Sequence, residues 1–259
     1  MGELTVHRGT WTLEDRFASV WQYLPVEVAP GTAALRVSLE YERAGAVLDL
    51  GCIGPSGFRG WSGGARESFA IGASCATPGY LPGEIEPGVW QVMLGLHMIP
   101  AEGVPFQVSA EPVAAALDPV ITGAPPVPLS RPARRLLPAA PGRRWLAGDL
   151  HAHTVHSDGA LTVPELAAFA VERGLDFLAV TDHNTVSHHP ELPAASARYG
   201  ITLLPGQEVT TAAGHAGVLG DTGWIDFRRS PDDWLEDAET GGGLMSVNHP
   251  IAGPVSWMH

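Results

Sequence analysis

In residues 35–41, Leu35, Val37, Leu39 and Tyr41 alternate with Arg36, Ser38 and Glu40. The same two-residue rhythm returns as Trp90, Val92, Leu94 and Leu96, and as Val104, Phe106 and Val108. Successive side chains of a strand point to opposite faces, so this alternation predicts strands with one buried face. Turn-forming clusters such as GPSGFRGWSGG, TPGYLPG and EPG stand between the alternating stretches. Residues 1–112 therefore read as an all-β, sandwich-like domain of short antiparallel strands. Residues 113–144 break the rhythm: proline forbids regular ladders, and five arginines fall within 131–144. This stretch is expected to be a Pro/Arg-rich linker lying on the surface of the C-terminal part of the chain.

From Trp145 to His259 the pattern changes. Short apolar runs, WLAGDLH, DFLAV (176–180), ITLLPG (201–206), HAGVLG (215–220) and LMSV (244–247), predict five strands. Between them lie helical stretches. Thr162 opens T-V-P-E, a capping box in which Glu165 reaches back to the Thr162 amide, and Gly174 suits the left-handed residue that ends that helix. Its apolar face is expected to be Leu166, Phe169, Ala170 and the stem of Arg173. PELPAASARYG and PDDWLEDAETGG read as two more helices. Strands alternating with helices at these lengths predict parallel βα units, an α/β fold.

Composition narrows the function. Of 259 residues 45% are apolar and 17% charged, and glycine plus proline is 31 + 23 = 54 residues, so the chain is globular rather than disordered. The net charge of −13 disfavours a nucleic-acid partner held through its phosphates. All 15 basic residues are arginine. The absence of lysine removes Schiff-base chemistry, the lysine-dependent phosphate loop and kinase chemistry. Two cysteines, Cys52 and Cys75, cannot make a disulfide framework. No secretory leader or long apolar run is evident, and the expectation is a soluble cytoplasmic protein with no membrane partner. Oligomeric state is not legible.

Nine of the eleven histidines fall between His151 and His259, and they gather at strand ends. His151, His153 and Asp158 follow the first strand; Asp182 and His183 follow the second. Glu208 follows the third, His215 heads the fourth, and Asn248 and His249 follow the fifth. The carboxyl ends of parallel strands share one face, so five strand ends would deliver imidazoles and carboxylates to one place. Those are ligands for zinc, manganese or iron. Along an extended chain His151 and His153 point the same way and can grip one ion. Asp182 reads either as a partner orienting a histidine or as a turn residue capping Asn184. His156 reads as a loop residue, and His188 and His189 as an exposed polar loop.

HAHTVHSDG at 151–159, TDHN at 181–184, PGQE at 205–208, GH at 214–215 and NHP at 248–250 resemble the polymerase and histidinol phosphatase (PHP) superfamily. Its CehA/McbA-like metallo-hydrolases are the most similar subgroup. The resemblance implies a distorted (β/α)7 barrel with two or three divalent ions. It implies that His151 and His153 hold a first metal, bridged by Glu208 to a second held by His215 and His249, with Asp158 and His183 on a third. It also implies a late Asp-x-His pair beyond His259, so residues 145–259 are expected to be the N-terminal part of a barrel truncated at its C-terminus.

The expected activity is that of a metal-dependent hydrolase. Metal-activated water would attack a small-molecule ester, with Glu208 as the bridging carboxylate and Asp158 or His183 protonating the leaving group. Phosphoesters are favoured by the resemblance. Carboxyl or carbamate esters are the alternative, because Arg173, Arg198, Arg228 and Arg229 are the only arginines after Trp145 and none sits at a strand end; Arg59 and Arg66 of the β domain are the remaining candidates for a phosphate. A non-catalytic scaffold with an incomplete barrel is the reading from another class.

Overall fold

The alternating stretches pair as their buried faces demand. In the computed structural model, which describes residues 3–118, 125–127, 130–133, 137–251, 253 and 256–259, the chain divides into two units, Met1–Ile121 and Thr122–His259. The first contains β1 (Thr5–Trp11), α1 (Leu13–Ala18), β2 (Trp21–Val28), β3 (Ala34–Tyr41), β4 (Val47–Gly54), β5 (Gly57–Gly63), β6 (Ser68–Gly72), β7 (Gly88–Met98) and β8 (Val104–Val113). They form two four-stranded antiparallel sheets, ordered β1-β8-β3-β6 and β2-β7-β4-β5. The inward residues of both sheets, among them Leu35, Val37, Leu39, Leu48, Leu50, Trp90, Val92, Leu94 and Val108, make one core. Leu35, Val37 and Leu39 are thus on the buried side of their alternation, as burial of one face requires.

The second unit contains β9 (Gly148–Asp149), α2 (Val163–Glu172), β10 (Phe177–Val180), α3 (Leu192–Tyr199), β11 (Thr202–Thr211), β12 (Gly214–Leu219), α4 (Pro231–Thr240) and β13 (Leu244–Val247). The five strands form one sheet in the order β13-β12-β11-β10-β9. Helices α2 and α3 bury Val163, Ala167, Ala170, Val171, Leu192, Ala195 and Tyr199 against Leu178, Val180 and Leu203. The sheet is mixed, where the sequence pattern predicts all-parallel units. Strands β9, β10 and β11 are parallel, but β12 runs antiparallel to both β11 and β13. The cause is the connection: Thr211 pairs with Gly214 across Ala212 and Ala213 alone, and a two-residue link permits only a hairpin. A seven-unit barrel is not formed by the described residues.

Helix α2 starts at its Thr162–Glu165 capping box, and Gly174 follows it at φ 80°. Its buried face agrees with the expected one at Ala170 and Leu166 and differs at Phe169. Val163, Ala167, Ala170 and Val171 face the sheet, while Phe169 is 45% exposed beneath the Arg173 guanidinium. The alanines let the helix lie close to the strands, and the larger ring turns outward. Of the proline and arginine stretch, Arg131 bonds the carbonyls of Leu175 and Gly200, and Pro126 accepts from Tyr199, so these residues go with the second unit. Arg134 and Arg135 lie outside the described residues.

Candidate metal centre

Reversal of β12 puts its first residues at the end of the sheet where β9, β10 and β13 finish. His215, the second residue of β12, pairs with Thr210, and the Asn248 amide donates to the His215 carbonyl. On the other side His183 continues the parallel ladder beside Glu208. The loop after β9 brings His151 and His153 to the same level. That loop closes on itself at Gly159, where a Cβ would stand 2.4 Å from the His153 carbonyl oxygen, so no side chain fits. The Gly159 and Ser157 amides both donate to Thr154 O.

Glu208 lies at the centre, with no exposed surface. Its Oε2 is 3.1 Å from His151 Nε2, 3.3 Å from His153 Nε2 and 3.1 Å from His183 Nδ1. Its Oε1 is 3.2 Å from His215 Nδ1, 3.1 Å from His249 Nε2 and accepts from Asn248 Nδ2 at 2.8 Å. Asp158 Oδ1 stands 3.7 Å from His183 Nε2. Every residue expected at the site is therefore in the cluster. Their ligand atoms fall into three groups, each within 4.8 Å: His151, Glu208 and His249; His153, Asp158 and His183; His183, Glu208 and His215. His151 and His153 also meet at Glu208 Oε2, as the resemblance implies, and the three groups add that His249 stands with His151 and His153 with Asp158.

Burial raises the pKa of Glu208, but the facing imidazoles of His151, His215 and His183 and the Asn248 amide more than reverse it and hold the carboxyl well below the usual range. The neighbouring Glu208 carboxylate raises His151, while burial brings His183 down to about 4. His183 is neutral at pH 7 and offers a lone pair, the form a metal needs.

The arrangement fits a cation. Glu208 Oε2 is buried without a hydrogen-bond partner although three imidazole nitrogens surround it, and His151 Nε2 and His153 Nε2 converge to 3.0 Å. Five rings cannot all donate to one carboxylate; shared divalent ions satisfy nitrogen lone pairs and carboxylate oxygens together.

Asp182 has no exposed surface and belongs to none of the three groups, although its backbone carbonyl accepts from Glu208 N at 3.2 Å. It accepts from Thr154 N and Oγ1 at 2.8 and 2.7 Å and from Ser157 Oγ at 2.6 Å, so it anchors the 151–159 loop. Burial raises its pKa, and the charge of His188 with these bonds lowers it overall. His188 is fully buried, against the expectation of an exposed loop, because its Nε2–H is taken by Val180 O at 3.0 Å and Nδ1 faces Asp182 at 3.2 Å. His156 is buried too, bonded to Ser187 at 2.7 Å and Glu191 at 2.9 Å. Asn248 and Thr210, which touch Glu208 and His183, have no role that sequence reasoning assigns. For Asn248 the available signal is its place at a strand end, immediately before His249.

Residues 149–239 match the PHP domain family. A 5'-3' exoribonuclease of Haemophilus influenzae is 40% identical over 63 residues, 24% of this chain and 23% of that protein. A 3',5'-nucleoside bisphosphate phosphatase of Chromobacterium violaceum is 46% identical over 66 residues, 26% of this chain and 23% of that protein. The alignments thus span under a quarter of the length of either relative. A solved two-domain protein from Bacteroides vulgatus, described as containing a predicted PHP-like metal-dependent phosphoesterase, has 24% identity over 48% of this chain and 43% of that chain, with a TM-score of 0.37. Among the described residues no helix is long and apolar enough to cross a membrane.

Proposed function

We propose that this chain is a metal-dependent phosphoesterase acting on a small phosphoester, with two or three divalent ions (manganese, zinc or iron) held by His151, His153, Asp158, His183, Glu208, His215 and His249. The observation that carries this reading is the buried Glu208 carboxylate, ringed by five imidazoles, with an Oε2 that no hydrogen bond satisfies. The PHP domain match and the named activities of the two relatives support it. When bound, such ions lower the pKa of a water nucleophile and stabilise negative charge on the attacked ester.

The chain's own groups do the rest. Glu208 and the rings hold the site's geometry, and Asn248 steadies the Glu208 carboxylate by donating to Oε1. Asp158 is the exposed carboxylate of the set, and when not holding an ion it would relay a proton from solvent water to a leaving oxygen. The arginines are engaged elsewhere: Arg228 pairs with Asp226, Arg229 with Asp233 and Asp237, and Arg173 and Arg198 lie over Phe169 and Tyr199. Of the two β-domain candidates, Arg59 bonds the carbonyls of Leu81, Gly83 and Glu84, and Arg66 bonds that of Pro78. With these arginines engaged, the charge of a phosphate would be met by ions and imidazoles, and the net charge of −13 favours a small substrate over a polymer.

The same engagement of the arginines favours a second reading, hydrolysis of a carboxyl or carbamate ester at the same centre. Turnover of aryl phosphates, nucleoside 3',5'-bisphosphates, aryl carboxyl esters and aryl carbamates by the metal-loaded chain separates the two. Phosphoester turnover that is lost on chelation supports the first reading. Turnover confined to carboxyl or carbamate esters replaces it with the second, and none at all contradicts both.

A further inference from the structure

His183 stands between two ligand groups. Its Nε2 faces Asp158 at 3.7 Å, and its Nδ1 faces Glu208 Oε2 at 3.1 Å. A neutral imidazole carries one hydrogen and one lone pair, so it serves one group and not the other, and whatever fixes the tautomer decides which. Thr210 Oγ1 lies 2.6 Å from His183 Nδ1, and the same hydroxyl donates to the Glu208 carbonyl oxygen at 3.2 Å. With its only hydrogen so directed, the hydroxyl presents a lone pair to the ring and calls for Nδ1–H.

Thr210 is itself held. Asn184 Oδ1 accepts from the Thr210 amide at 2.8 Å and Asn184 Nδ2 donates to the Thr210 carbonyl at 2.9 Å, a two-point clamp. Asn184 sits at φ 56°, a left-handed conformation that asparagine tolerates better than most residues, and its amide donates to Glu208 O at 3.0 Å. Its own carbonyl accepts from Trp224 Nε1 at 3.0 Å. The clamp therefore ties the segment after β10 to β11 at the level of the site.

We propose that Thr210, clamped by Asn184, is a positioning residue that fixes His183 as the Nδ1–H tautomer and so commits its Nε2 to the group with His153 and Asp158, leaving the group of Glu208 and His215 without this ring. The proposal rests on the metal reading above and adds which residues commit His183 to the side of Asp158. Thr210→Val keeps the shape and removes the acceptor; Thr210→Ser keeps the acceptor.

Two measurements on the full 259-residue chain test it. In metal-free protein labelled with 15N at histidine, long-range 1H–15N correlation reads the His183 tautomer. The expected result is Nδ1–H in the parent chain and Thr210→Ser, and loss of that preference in Thr210→Val. Titration with zinc alone then reads occupancy. One class of site should weaken about 10- to 100-fold in Thr210→Val, the usual cost of removing an orienting partner, while the others hold and Thr210→Ser restores the loss. An unchanged tautomer with unchanged zinc binding in Thr210→Val would overturn the proposal alone, as would loss of every ion together. No zinc bound by the parent chain would overturn it along with the function proposed above.

Discussion

Five imidazoles can share one buried carboxylate only if protons or cations settle their charges, and the pKa directions say which ring resists. His183 is already neutral at pH 7, whereas the neighbouring Glu208 carboxylate raises His151 above its ordinary 6.5. A metal ion must displace the His151 proton, so binding releases it and apparent affinity should climb as pH rises through and above 6.5. Calorimetric titration with zinc between about pH 6 and 8 in buffers of different ionisation enthalpy checks this; affinity that falls with pH would contradict it. At this scale much of the site is legible in the sequence. Histidines and carboxylates at successive strand ends have few other reasons to recur together. Asn248 and Thr210 are not legible, because a short polar side chain near a strand end is as often a turn or cap residue. His188 escapes for a different reason: its neighbours Ser187 and His189 are polar, and only the fold brings the Val180 carbonyl and Asp182 around it.

Among the elements, the turn between β11 and β12 decides where His215 goes. A parallel fourth strand would carry its first residue to the far end of the sheet, away from Glu208. The antiparallel hairpin brings it back, and Thr210 faces it across the ladder. The apolar run ITLLPG marks only the first half of β11, which continues through Gln207 and Glu208 to Thr211. Polar residues within a strand hide its length, and a strand ending at 206 would leave a gap that conceals the hairpin. The helices are clearer, since the capping box of α2 and its terminal glycine are local signals. The loop after β9 depends on Gly159 in the same local way. Gly159→Ala would drive a methyl group into the His153 carbonyl, at a cost on the order of 1–3 kcal/mol. The variant should melt at lower temperature and bind zinc more weakly, which thermal unfolding with and without the ion would show. A parent-like curve in both conditions would mean the loop has slack not visible in its packing.

For the whole molecule, the two units differ in what pH does to them. In the β unit Asp49 is pushed up by burial to about 7, only partly offset by a backbone bond at Gly64. Between the ordinary 3.8 and about 7 the folded chain keeps a proton that the unfolded chain has lost, so stability falls as pH rises through that window and is level above it. The loss should be on the order of 2–4 kcal/mol. Asp49→Asn should flatten the fall, as read by the melting of the β unit at about pH 5 and pH 8; a slope that survives the substitution would assign it to other groups. The division into a β-rich first part and an α/β second part is legible from the change of period near residue 113 alone. The mixed order of the second sheet is not, because strand direction is set by connections rather than by period.

Glu208 is proposed to gather the divalent ions. Elemental analysis of the purified chain beside Glu208→Gln decides whether it does, since the amide keeps the shape and removes the charge. The expected result is two or more divalent ions per parent chain, near-complete loss in Glu208→Gln, and a β unit that still melts as before. Equal metal content in the two proteins, or none in the parent after growth with manganese, zinc and iron, would contradict it.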